Sequence, residues 1–398
     1  MHLDIADGIE GILKVKLRTQ GGKVAAIKVQ STRPLRLPRI FHGRSTDEVL
    51  TMIPRLYGSN PAAQSYAAVT AFESALGLST KDTSMALRNL VVKTEILYEH
   101  LLRLLFDWPR LVGESPFTAD TERFQSQLNR FREAVDPQSE AFAFNQRGFR
   151  PELGLAQQIL QEISQGLEER LYNLPLPQWL HLGPEEMARW MRESNSLGAQ
   201  MMRDLAELGH GSLGKGRVKG LPWLSVKEIR EDLRIRDAEE YAQQPTLKGE
   251  VYETTPLSRM LGNGSMGELR SMFGDGLTLR LLSRLRETAQ CAGELGVDLA
   301  QPQKSHLFGQ PRGVATQGIS QIEAARGKLI HHVELDGHKV KNYLILAPTD
   351  WNFHPKGILA YSLVGQPHQS AAKTKQMAEL MVHALDPCVG CEVSLEEL

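Results

Sequence analysis

Three cysteines occur in 398 residues, and two of them form Cys388-Val389-Gly390-Cys391. A CxxC spacing lets both thiolates converge on one metal ion or exchange one disulfide. A four-cysteine zinc site would need ligands from outside the chain, because only Cys291 remains. A thioredoxin-type site would need a βαβ context that the flanking residues do not supply. A purely structural pair is the alternative to these chemical readings of the spacing. Cys291 itself lies in a helical stretch, RETAQCAGEL, where a lone cysteine is expected to be a small buried hydrophobe.

Two further groups have suggestive residue types. His331-His332 sits on a strand, where adjacent side chains point opposite ways. The pair cannot easily chelate one ion, and one packed and one exposed imidazole is the expectation. Gly209-His210-Gly211-Ser212-Leu213-Gly214 satisfies GxGxxG, and Gly214-Lys215 approaches a P-loop. Both motifs require a strand before and a helix after, and the P-loop requires a hydroxyl residue after its lysine. Here a helix precedes and Gly216 occupies that place, so a flexible surface loop is expected over 209–220, with its role left open.

The elements that must position these groups follow from pattern. Residues 10–30 alternate branched apolar and polar side chains around Gly21-Gly22, which reads as a hairpin. A Pro- and Arg-rich connector runs from Arg33 to Arg44. Pro61 to Leu76 opens with proline at a first-turn position and is rich in alanine, as a helix should be. From Asp82 to Phe106, the residues Leu87, Leu90, Val91, Thr94, Leu97, Tyr98, Leu101, Leu102 and Leu105 form one helical stripe. Further helices are expected over Thr118–Glu133, Leu155–Arg170, Glu185–Leu208, Leu277–Leu295 and Gln376–Leu385. From Gly327 the pattern turns to strands, with a hairpin at Asp336-Gly337. The whole reads as a predominantly helical α+β protein with sheet near both chain ends.

Composition narrows the class. Apolar residues make up 41%, enough for a sizeable core. Lys plus Arg is 46 and Asp plus Glu is 47, for a formal net charge of −1. That balance argues against a general basic surface for nucleic acid. No apolar run reaches the roughly 18 residues of a membrane span. The N-terminus carries no basic n-region of a secretory signal, and cysteines are few. A cytoplasmic location is the expectation.

Several blocks together resemble the large subunits of nickel–iron hydrogenases. Asp386-Pro387-Cys388-Val389-Gly390-Cys391 resembles that family's C-terminal DPCxxCxxH motif. Ile9-Glu10-Gly11 resembles its RIEGH strand. Arg55-Leu56-Tyr57-Gly58-Ser59-Asn60-Pro61 stands where the family has RICGVCP. Tyr252 to Arg259 resembles YEVGPLAR, Glu323 to His332 resembles EAPRGxLIHH, and Pro348 to Phe353 resembles PTTWNF. The blocks keep the family's order along essentially the whole chain, which implies one hydrogenase-large-subunit-like domain over 1–398. Within it fall a hairpin and connector (1–44), a helical core (45–320) and a hairpin with the CxxC segment (321–398).

The departures define the expected role. The resemblance places Tyr57 and Asn60 at the N-terminal cysteine pair and Gln64 at the histidine that follows. Pro38 stands at the glutamate implicated in proton transfer and Ser394 at the last histidine. With half of the soft ligand set replaced, nickel is expected to be lost. Cys388 and Cys391 remain as metal ligands, Cys391 matching the thiolate that bridges to iron. Arg326 and Thr349 match the residues around the iron's cyanide ligands, where a guanidinium and a hydroxyl supply donors to an anion. The chain ends four residues past Ser394, so no C-terminal peptide is expected to be clipped.

This combination resembles hydrogenase accessory proteins of the HupK/HoxV type. It implies a scaffold or carrier for the Fe(CN)2CO fragment, without enzymatic activity. HypC/HypD-type maturation chaperones and the apo large subunit would be its partners. The alternatives are a divergent hydrogenase large subunit and a metal-free structural subunit of a redox complex.

Overall fold

The computed structural model describes residues 11–144, 151–216, 218–262, 264–302, 312–314 and 316–397. Ile9 and Glu10 lie outside the described residues. The chain divides into two compact units, one of residues 1–79, 217–258 and 308–398, the other of 80–216 and 259–307.

The first unit carries both sheets. Strands β1 (Ile12–Gln20) and β2 (Lys23–Ser31) form the expected hairpin, with Gly21 and Gly22 at φ 59° and 71° supplying its turn. The second sheet is β3 (Arg312–Val314), β4 (Gln317–Ala324), β5 (Gly327–Asp336) and β6 (Lys339–Leu346), antiparallel in that order. The CxxC segment, to which the sequence assigned no element, runs into a strand: β7 (Gly390–Glu397) pairs in parallel with β1, Cys391 opposite Leu13. The period-2 run Val393, Leu395 between Glu392, Ser394 and Glu396 carried that signal.

The Pro61–Leu76 helix is buried on nearly every side, which its alanine-rich sequence permits. It packs so closely on β4 that a Cβ on Gly318 would lie 2.0 Å from the Ala71 carbonyl oxygen. Glycine is required there. The second sheet's other face covers a core of Leu224, Ile229, Tyr241, Ile319, Leu346 and Trp351.

The second unit is helical. Asp82–Leu102, Thr118–Val135, Leu153–Leu167 and Leu277–Ala300 are its long helices. The first passes into a π-helical turn over Arg103–Asp107. Pro109 has no N–H for the Leu105 carbonyl, and the Phe117 N–H takes that acceptor at 2.9 Å. The expected single helix over 185–208 is two, Pro184–Glu193 and Leu197–Glu207. Ser194-Asn195-Ser196 breaks it: Ser194 is extended, and the Ser196 hydroxyl caps the second helix by accepting from Ala199 N–H. The glycine-rich segment is turns, as expected, but it is tied down rather than loose. Gly211 accepts from Thr278 N–H, and Gly216 N–H donates to Asp275. No helix in the described residues is long and apolar enough to cross a membrane.

Candidate functional site

In the first unit a cavity of about 40 Å³ lies among Arg33, Tyr57, Asn60, Gln64, Pro38 and Cys388. That is room for about three water-sized groups. Residues from three distant blocks meet here, and four of them are positions at which the sequence departs from the hydrogenase pattern.

Cys388 follows the Ala371–Leu385 helix. The helix is closed by Asp386 in the left-handed conformation at φ 54°, an arrangement asparagine and aspartate tolerate best after glycine. Thr349, in the first turn of the short Pro348–Asn352 helix, fixes Cys388 twice. Its hydroxyl accepts from Cys388 N–H at 3.0 Å and donates to the Cys388 sulfur at 3.0 Å. The next residue, Asp350, accepts from Ala347 N–H at 2.8 Å and from the Arg33 guanidinium at 2.5 Å. Burial works against the Arg33 cation, but Asp350 and the nearby Cys388 sulfur outweigh it and push its pKa above the ordinary arginine value.

Arg326 stands at the turn between β4 and β5. Gly327 makes that turn possible: at φ 133°, a Cβ there would meet the Thr254 carbonyl oxygen at 1.7 Å. The Arg326 guanidinium donates to Asn60 Oδ1 at 2.6 Å and to Asp386 Oδ1 at 3.2 Å. Asn352 ties the surrounding loops together. Its carbonyl accepts from Thr254 N–H at 2.7 Å, and its amide donates to the Thr254 and Arg326 carbonyls, each at 3.2 Å.

Gln64 belongs to a third chain of contacts. Gln64 Oε1 accepts from His331 Nε2 at 2.9 Å, and His331 Nδ1 accepts from the Tyr343 hydroxyl at 2.8 Å. Burial keeps this imidazole neutral, lowering its pKa to about 3. The expectation for the histidine pair needs correction. The two do point to opposite faces, yet both are buried, because helices cover each face of the sheet. Burial lowers His332 to about 4.

The structure therefore brings Cys388, Thr349 and Arg326 to one region. Cys391 is not among the residues lining the cavity. It begins β7, half-buried, where burial first and then Glu379 and Glu392 push its thiol up to about 12. Ser394 is exposed further along that strand. Cys291 is buried in its helix, as expected. Among the described residues no cluster of three or more His, Cys, Asp or Glu is arranged to hold a metal ion. Sequence reasoning missed Arg33, Asp350, Asp386 and Asn352. Asp350 stands where the hydrogenase motif has threonine, and that change was the available signal.

Residues 280–394 match the family described as nickel-dependent hydrogenase. Superposed on the Ni-Fe-Se hydrogenase of D. vulgaris Hildenborough, the chain gives a TM-score of 0.63 at 17% identity, covering 94% of this chain and 95% of that one. The fold is the predominantly helical α+β fold of hydrogenase large subunits, and residues 280–394 carry the likeness to the nickel-dependent hydrogenase family. The near-full-length likeness is to hydrogenase expression/formation proteins of the HoxV and HupK type. HoxV of Cupriavidus necator is 25% identical, covering 96% of both chains. HupK of Azotobacter vinelandii is 28% identical, covering 97% of this chain and 98% of the relative.

Proposed function

We propose that the protein serves hydrogenase maturation as a non-catalytic scaffold, taking an Fe(CN)2CO fragment as cargo and passing it to an apo hydrogenase large subunit. HypC/HypD-type chaperones would deliver the fragment. The observation that carries this reading is the setting of Cys388. Cys388 lines a small cavity and has a hydroxyl against its sulfur, while Tyr57 and Asn60 occupy the positions that the resemblance assigns to the N-terminal cysteine pair.

Soft thiolates suit an iron carbonyl unit, and Arg326 with Thr349 would supply donors to cyanide nitrogens. Holding the fragment through both cysteines requires the Cys388–Cys391 turn to close over it, because Cys391 starts β7 outside the cavity lining. Arg326 would exchange its Asn60 contact for the cargo. A phenol at Tyr57 and a neutral amide at Asn60 are poor substitutes for thiolates, so nickel would find half of its ligand set missing.

Infrared spectroscopy of protein purified anaerobically from its own host tests the reading. Bands of iron-bound CO and cyanide, with iron present and little nickel, are expected. Nickel at or above the iron level would instead support a divergent hydrogenase. Absence of both bands and iron would leave a metal-free structural subunit, a reading favoured by the position of Cys391.

A further inference from the structure

The connector from Arg33 to Arg44 does more than close the cavity. Leu35, Pro38 and Ile345 line the cavity on one side and, on the other, a cleft of about 700 Å³. One wall of this cleft is the 3-10 turn Leu37–Phe41, the other the short Ala238–Gln243 helix. Between them runs the outer edge of β6, from Lys341 to Ile345.

That edge is half used. β6 is the last strand of its sheet, and the segment 43–46 pairs only with its first residues. Gly43 N–H donates to the Val340 carbonyl at 2.8 Å, Val340 N–H donates to the Arg44 carbonyl at 2.9 Å, and Ser45 bridges Lys339 antiparallel. Among the described residues no strand continues this pairing along Lys341–Ile345. An unpaired edge is a template for another extended chain. Native edges are usually blunted by being short or covered, whereas this one forms the floor of an open cleft. His332 lies there too, buried, and its Nε2 makes no hydrogen bond among the described residues.

Charge indicates the occupant. Of the carboxylates lining the cleft, Asp237 caps its own helix and Glu334 is held by Lys341 and Asn342. That leaves Glu239 to face the Arg36, Arg39, His42 and Arg44 that the connector exposes. Arg36 and Arg39 reach across its mouth to Glu239 on the opposite wall, the first at 2.9 Å. Both guanidinium groups are more than 70% exposed, so these pairs hold weakly and one carboxylate serves two cations. A second carboxylate could take either arginine without uncovering a buried charge.

We propose that this cleft receives an extended acidic peptide segment of a partner protein, paired as a strand along Lys341–Ile345 with carboxylates on Arg36 and Arg39. The apolar wall of Leu35, Pro38, Leu233 and Leu344 takes the alternate side chains of the segment. Because Leu35 and Pro38 also wall the cavity beside Cys388, an occupant of the cleft touches the residues that enclose the site. Peptide binding here does not depend on the cargo reading, and it can be tested on metal-free protein.

Three synthetic octapeptides are titrated into the full chain: one alternating valine with glutamate, one alternating valine with lysine, and the first with a central proline. The glutamate peptide is expected to bind at least about tenfold tighter than either control, weakening as salt rises. It should slow amide exchange at Lys341–Ile345 and leave the Leu277–Ala300 helix unchanged. The double variant Arg36→Glu, Arg39→Glu should reverse the preference between the acidic and basic peptides, with its melting temperature confirming an intact fold. Equal binding of acidic and basic peptides overturns the proposal, as does binding that tolerates the proline or leaves the β6 amides unprotected. Loss of cargo in infrared spectra with peptide binding intact would count against the scaffold reading alone.

Discussion

Both units bury charged groups, but they do so in different ways. In the helical unit Lys93, with no exposed surface, lies 2.7 Å from Asp298 and 2.8 Å from Glu294. Glu287 is gripped by His100 at 2.6 Å and by Arg259. These pairs cross between the Asp82–Leu102 and Leu277–Ala300 helices or their neighbours and fix how side chains meet. In the sheet-bearing unit the buried groups instead surround a space. Arg326, Asn60, Thr349 and Cys388 each use a partner that a ligand could replace. Closed networks of this kind hold architecture, whereas contacts arranged around a cavity can exchange partners.

The largest expected effect breaks the closed network. Burial alone would raise the Glu287 carboxyl, but Arg259 and His100 hold it down at about 2. Glu287→Ala removes the buried carboxylate that Arg259 and His100 share and should cost about 3–5 kcal/mol. Calorimetry reads this as a fall in melting temperature. A change under about 1 kcal/mol would show that the network is solvated and that the contrast between the units is false.

A second test uses acid. His331 and His332 are buried neutral, at about 3 and about 4 against an ordinary 6.5. As pH falls below about 6.5 the unfolded chain takes up protons that the folded chain refuses, so stability drops until the folded values are reached. Glu287 has the opposite origin: its depressed carboxyl contributes stability above the ordinary carboxylate range and loses it only as pH falls towards 2. His331→Gln should therefore flatten the decline in melting temperature between about pH 6.5 and pH 4. An unchanged slope would remove the buried-neutral assignment.

How much of this could be read from the sequence depended on range. The Pro61–Leu76 helix and the Gly21-Gly22 and Asp336-Gly337 hairpins are local, and their boundaries were legible within a few residues. The break at Ser194–Ser196 is local too, yet helical periodicity on both sides concealed it. β7 alternates visibly, but its partner is β1 at the far end of the chain, and a parallel pair with so long a crossover has no turn signal. The site shows the same limit. Cys388, Arg326 and Thr349 stood out by resemblance, and Asn60 as a departure from it. That Asn60 holds Arg326, 266 positions away, could come only from the fold.

A smaller effect separates shape from chemistry at the cavity. Asn60→Ala removes one acceptor from Arg326 while Asp386 remains at 3.2 Å. One lost hydrogen bond to a charged group should cost about 1.5–3 kcal/mol. If Arg326 is the residue that turns to the cargo, the variant should still retain the infrared bands of iron-bound CO and cyanide. A loss of bands at unchanged fold would make Asn60 itself part of the hold.

The three cysteines give the finest comparison, because one substitution type is placed in both settings. Cys291 is 3% exposed, and burial first, with Glu287 and Glu294 nearby, pushes its thiol well above the ordinary value. Cys291→Ser puts a hydroxyl into that buried site and should cost about 1–3 kcal/mol, read by melting temperature, with the infrared bands intact. Cys388 is half-buried against Thr349. Serine there keeps a partner for the Thr349 hydroxyl, so Cys388→Ser should leave the melting temperature nearly unchanged. A serine oxygen is a hard ligand for an iron carbonyl unit, so the same variant should lose the bands and the host's hydrogenase activity. Cys391→Ser should follow Cys388→Ser if both thiolates hold the cargo, and should keep the bands if Cys388 holds it alone. Were all three variants to melt early with bands intact, the cavity would be architecture like the helical core, and the distinction between the two units would fail at the residue on which it most depends.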